Sequence, residues 1–178
     1  VLNLEEKMEK VQEKVYPIYE IDTLFVMRIV GVSRFVESDL AVYIDKGDVS
    51  SCSMYLEAGL YHGGKLIGSK MRTSKAMPPV WNEQVQSNIM IKRIPKETRL
   101  CATLYVCSGK LEYPVAWVNF PVIDYSDRLR AGGFKLPMTP YEKANFVSSV
   151  PNYDSRIFHL ALEFLSQEIP VVHGLKPF

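Results

Sequence analysis

Long apolar runs are missing from this chain: its longest reach only the length of a strand, against the roughly 20 residues a helix needs to cross a bilayer. Cysteine is scarce as well, with three in 178 residues. An odd number, with no secretory signal ahead of it, argues against a disulfide framework and for a reducing compartment. Nor is there a surplus of either charge, since 21 Lys and Arg face 20 Asp and Glu for a net +1. Neutralising a phosphate backbone takes more than that, so nucleic acid is not an expected partner. Repeats and low-complexity tracts are absent too. What is present is 47% hydrophobic and 23% charged residues, the balance of a globular domain able to bury a core. The chain starts at Val1 and ends at Phe178 just after Gly174–Pro177, which suggests a piece of something longer.

Leu4, Met8, Val11 and Val15 recur at helical spacing among Glu and Lys, with Asn3 as a cap and Pro17 as a stop. The pattern predicts an amphipathic helical arm within residues 1–20. Its mixed polar face suits a linker packing on a protein surface better than anionic lipid. From Thr23 the period changes to two, predicting strands at Thr23–Val30, Asp39–Ile44, Ser53–Tyr61, Lys65–Arg72, Glu83–Ile91, Arg99–Val106, Ala116–Ile123 and Ile157–Phe164. The expected fold is all-β, an eight-stranded antiparallel β-sandwich over residues 21–168, followed by a linker at 169–178. Gly63-Gly64 is the clearest hairpin turn. Residues 124–155, with Gly132, Gly133, Pro137, Pro140 and Pro151, read as a long connection with one helical turn around Tyr141–Phe146.

Catalytic patterns are not found. His62, His159 and His173 do not pair at zinc-site spacing, and there is no phosphate loop, nucleophile elbow or kinase signature. Cys101 and Cys107 stand six apart on one strand, hence on one face and about 20 Å apart, and read as buried apolar residues. Calcium needs converging carboxylates, and the loops offer only Glu37 with Asp39, Asp45 with Asp48, and Glu112 alone. No metal and no cofactor are expected, and a free-standing enzyme is the remotest reading.

The basic residues are uneven. Lys65, Lys70, Arg72 and Lys75 form one group and Lys92, Arg93, Lys96 and Arg99 a second, with Lys110, Arg128, Arg130 and Lys135 near later loops. Each group is either a solvated strand face or a patch for an anionic surface, where a single Lys or Arg is worth about 1 kcal/mol.

Five motifs follow one another in order: Leu60-Tyr61-His62-Gly63-Gly64-Lys65; Trp81-Asn82-Glu83; Ile94-Pro95 with Arg99-Leu100-Cys101; Pro114-Val115-Ala116-Trp117-Val118-Asn119; and Asp124-Tyr125. In this order and spacing, over residues 20–165, the chain resembles the C2 domain of phosphoinositide 3-kinases, with a lean toward class I. The residues themselves suggest Trp81 and Trp117 as core pillars, with Asn82 and Glu83 satisfying backbone groups where their strand begins or bulges. The resemblance implies a non-catalytic, calcium-independent scaffold and membrane-approach module. Its parent enzyme would use ATP to phosphorylate the 3-hydroxyl of phosphatidylinositol lipids, in the cytoplasm and peripherally at membranes. Expected partners are the parent's helical and kinase domains, a regulatory subunit and, weakly, an anionic membrane. The alternative is a pure protein-interaction module. Candidate membrane contacts are Lys65, Lys70, Arg72, Lys75, Lys92, Arg93, Lys96 and Lys110. Leu111 and Tyr113 are the candidate partner contacts, Tyr113 standing where a class I member has a cysteine near the regulatory subunit.

Overall fold

A computed structural model describes residues 21–33, 52–140 and 159–165. The predicted helical arm, the strand at Asp39–Ile44, the helical turn at Tyr141–Phe146 and the linker at 169–178 lie outside the described residues.

Among the described residues the β-branched and aromatic runs pair as nine strands: β1 (Leu24–Ser33), β2 (Ser53–His62), β3 (Lys65–Arg72), β4 (Val80–Met90), β5 (Arg99–Ser108), β6 (Leu111–Pro121), β7 (Gly132–Pro137), β8 (Thr139–Pro140) and β9 (His159–Leu165). Every pairing is antiparallel. They form a four-stranded sheet ordered β4-β1-β9-β7 and a five-stranded sheet ordered β3-β2-β5-β6-β8. The all-β sandwich is the fold that the alternation predicts. Gly63 and Gly64, at φ 56° and 77°, turn the β2–β3 hairpin as expected.

The segment read as a long connection proves different. It contains β7 and β8, which belong to different sheets, with the fully buried Met138 as the one residue between them. Glycine at the start and proline at the end of β7 read as loop signals in the sequence. An edge strand tolerates both, because one side of it carries no ladder, and among the described residues β7 pairs with β9 alone. On the opposite margin β3 and β4 meet across the two sheets, where the Asn88 N–H donates to Ser69 Oγ at 3.0 Å.

Phe25, Met27 and Ile29 of β1 point inward, packing in one cluster with Leu56 and Leu60 of β2 and with Leu100, Ala102, Leu104 and Val106 of β5. Trp81 is half-buried against this cluster. It stands at a bulge in β4, where Glu83 faces Ile29 and Val80 faces Gly31, leaving one extra residue on β4. Asn82 there adopts φ 47°, which Asn tolerates better than most side chains. Glu83 accepts from the Ser74 backbone N–H at 3.0 Å and from its hydroxyl at 2.8 Å, the backbone-satisfying role expected of it.

Trp117 corrects the expectation of a shared core. It is 1% exposed, but it pairs with Thr103, on the face of the five-stranded sheet away from the inner cluster. The cause is a bulge in β6: Leu104 faces Ala116 while Tyr105 faces Pro114, so Val115 is the extra residue. Beyond it the alternation is re-phased, which brings Trp117 to the same face as Glu112.

Candidate functional site

Antiparallel partners directly opposite one another share a face. By that rule Arg72 of β3, Tyr55 and Glu57 of β2, Thr103, Tyr105 and Cys107 of β5, and Glu112 and Trp117 of β6 all stand on the outer face of the five-stranded sheet. Tyr55 and Tyr105 stack there, ring centroids 5.0 Å apart. The Arg72 guanidinium lies 3.7 Å above the Tyr55 ring, a cation–π contact that fixes its position.

Glu112 gathers this group. Its carboxylate accepts from the Tyr55 hydroxyl at 2.8 Å and lies 3.6 Å from the Arg72 guanidinium and 3.7 Å from Lys75 Nζ. The Cys107 thiol adds a weak contact at 3.9 Å. The Tyr55 hydrogen bond, above all, holds Glu112 below the ordinary glutamate range, with Arg72 and Lys75 adding attraction. One row along, Lys70 Nζ pairs with Glu57 at 3.3 Å, and that hydrogen bond raises the Lys70 pKa. Arg72 and Lys75 remain about half exposed, at 47% and 51% of their side-chain surface.

The other predicted cations are spread over two ends. β2 is ten residues long, or about 30 Å. Lys75 lies beside its beginning, where Ala76 bridges Met54. Lys110 is exposed in the β5–β6 turn at that same end, because Ser53 pairs with Cys107. Lys65 pairs with His62 at the far end. Lys96 is also there, just before Arg99, which faces Tyr61. Lys96 pairs with Asp127 at 3.0 Å and Lys92 with Asp22 at 2.7 Å, while Arg93 is exposed in a single 3-10 turn, Ile91–Arg93. The two sequence clusters therefore do not merge into one patch. Lys75 and Lys110 lie at one end, Arg72 and Lys70 beside the middle of β2, and Lys65 and Lys96 at the other end.

Leu111 and Tyr113 flank Glu112 at the start of β6, with Leu111 58% exposed and Tyr113 partly so. The sequence did not mark Glu112 as the partner of Tyr55, nor Glu57 as the partner of Lys70, because these contacts span 57 and 13 residues. It also missed a cleft of about 720 Å³ at the far end, lined by Lys96, Arg99, Asp124, Tyr125, Asp127 and Arg130 among others. There Asp124 Oδ1 accepts from the backbone N–H groups of Ser126 and Arg128 at 2.8 and 3.0 Å, and Oδ2 from Arg128 Nε at 2.9 Å. Burial alone would raise the pKa of Asp124, but these donors together bring it below the usual aspartate range.

The three cysteines are buried and carry no disulfide. Burial pushes Cys101 up to about 12, only partly offset by Arg99, which leaves it a thiol rather than a nucleophilic thiolate. Among the described residues no group of three or more His, Cys, Asp and Glu stands close enough to hold a metal. The loop carboxylates Glu37, Asp39, Asp45 and Asp48 lie outside the described residues.

Comparisons with known proteins agree with this architecture. The chain is 28% identical over 121 residues to the human phosphatidylinositol 4-phosphate 3-kinase C2 domain-containing subunit beta, a match covering 56% of this chain and 7% of that protein. It is 25% identical to phosphatidylinositol 3-kinase 1 of Dictyostelium discoideum, across 89% of this chain and 12% of that protein. Phosphatidylinositol 3-kinase 3 of the same organism is 27% identical across 69% of this chain and 8% of its own length. The chain thus spans a small part of each relative. Residues 50–177 match the family model described as phosphoinositide 3-kinase C2, and with that match over an antiparallel β-sandwich, the chain belongs to the phosphoinositide 3-kinase C2 family.

Proposed function

We propose that this domain is a non-catalytic, calcium-independent module that brings a phosphoinositide 3-kinase against an anionic membrane. The parent chain would transfer phosphate from ATP to the 3-hydroxyl of phosphatidylinositol lipids, in the cytoplasm and peripherally at membranes. The observation that carries this reading is the row of Lys70, Arg72 and Lys75 along the edge of the five-stranded sheet, each about half exposed. Lys110, exposed at the tip of the β5–β6 hairpin, extends the row. Cations held at a sheet edge meet a flat negative surface without any change of fold, each contributing about 1 kcal/mol.

The test is flotation with vesicles of phosphatidylcholine alone and of phosphatidylcholine with phosphatidylserine, in calcium and in chelator. Binding is expected only with phosphatidylserine, independent of calcium and weakened by salt. Reversing Lys70, Arg72 and Lys75 to Glu should lower it by about a hundredfold. Unchanged binding in the triple variant would reject the row as the contact.

A second reading is favoured by the exposure of Leu111, Val80 and Tyr125. It makes the domain an interaction module packing on the helical and kinase domains of the parent chain or on a regulatory subunit, with Leu111 and Tyr113 as contacts. Absence of vesicle binding under all conditions would favour it.

A further inference from the structure

The cations assigned to the membrane are not idle in the folded domain. Arg72 and Lys75 share the Glu112 carboxylate, at 3.6 and 3.7 Å, and the Tyr55 hydroxyl donates to the same group at 2.8 Å. One hydroxyl and two cations converging on one carboxylate make the donor set that an anionic headgroup would use. The seat is filled from within, by a residue on a strand that is not adjacent to β3. Glu57 does the same for Lys70 at 3.3 Å.

We propose that Glu112 is a resident competitor: it occupies the basic edge of the sheet and must be displaced before a phosphatidylserine-containing membrane can take Arg72 and Lys75. This rests on the membrane reading above and adds its regulation. Three features make displacement workable. Arg72, Lys75 and Glu112 are 47%, 51% and 42% exposed, so a flat surface reaches them without unfolding. Arg72 is held over the Tyr55 ring at 3.7 Å, so it stays in place when its carboxylate partner leaves. Exposed ion pairs of this kind are weak individually, so the mask sets a threshold without closing the site. The closed pair divides the apparent affinity by the fraction of time it stands open, so the wild type needs a membrane richer in phosphatidylserine to reach the binding that the uncovered cations would reach on a poorer one.

The experiment compares the wild type with Glu112→Gln, which keeps the shape and the Tyr55 contact but removes the charge. Both are titrated with phosphatidylcholine vesicles carrying increasing phosphatidylserine. Glu112→Gln should bind about fivefold more tightly once phosphatidylserine is dense enough for Arg72 and Lys75 to contribute, so that its binding curve lies at lower phosphatidylserine than that of the wild type. Glu112→Asp, charged but shorter, should stay closer to the wild type than to the Gln variant. Tyr55→Phe separates charge from architecture, since it removes the hydroxyl donor and leaves the carboxylate; it should bind no more tightly than the wild type. Equal binding of wild type and Glu112→Gln across the titration overturns the masking while leaving the membrane reading intact. An equal gain in Tyr55→Phe also overturns it, because loosening rather than charge would then be the cause. Failure of wild type and Glu112→Gln alike to bind any vesicle, with melting unchanged, overturns the membrane reading itself.

Discussion

The two faces of the five-stranded sheet bury their central residues about equally yet use different chemistry. The inner face presents Leu100, Ala102, Leu104 and Val106 of β5, a purely aliphatic set. The outer face of the same strand presents Cys101, Thr103, Tyr105 and Cys107, next to Tyr55, Trp117 and the ion group around Glu112. One side holds the sandwich together by excluding water. The other side adds hydrogen bonds and charge to comparable burial, and so can both stabilise the sheet and meet a partner.

The sharpest way to break this comparison is to carve a cavity on each side. Leu104→Ala on the inner face should cost about 2–5 kcal/mol and Trp117→Ala on the outer face about 3–5 kcal/mol, read by denaturant midpoints. A Trp117 variant that melts with the wild type would demote the outer face to a mere surface.

A smaller effect separates the long-range acid Glu112 from the local acid Asp124, whose donors all lie within four residues. Asp124→Ala should lose about 1–2 kcal/mol at neutral pH. Because the folded pKa of Asp124 is lowered, its contribution is complete above the unfolded value near 3.9 and disappears as pH falls through the lower folded value. Stability curves of wild type and variant should therefore converge in acid, and a constant gap down to the lowest pH would refute the assignment.

Smallest is a chemical contrast. With Cys101 pushed up to about 12 by burial, a thiol reagent at neutral pH should label it only after denaturation. Prompt labelling in the native state would mean the outer face opens there.

Much of this was legible in the sequence. Alternation located β1 to β5 and β9 within a few residues, because Phe25, Met27 and Ile29 face inward past an exposed Arg28, and the paired glycines marked the hairpin; β6 was located only from Ala116, its beginning at Leu111 reading as a loop. The limits have physical causes. β7 is spelled with Gly132, Gly133 and Pro137, which only an edge position makes acceptable. The side taken by Trp117 depends on the extra residue Val115, and a bulge leaves no mark in a period-two pattern. The basic residues were visible as a run, but their partners were not: Glu57 and Glu112 reach them only through strand pairing, and the run at Lys92–Lys96 ends up at the opposite end of the molecule.

Met138 joins the margin of one sheet to the margin of the other with a single residue, while Ser69 and Asn88 link the two sheets along the opposite side. Among the described residues, then, both long sides of the sandwich are laced. The layers cannot swing apart like a book, and the innermost amides of β2 and β5 should exchange with deuterium only when the whole domain comes undone.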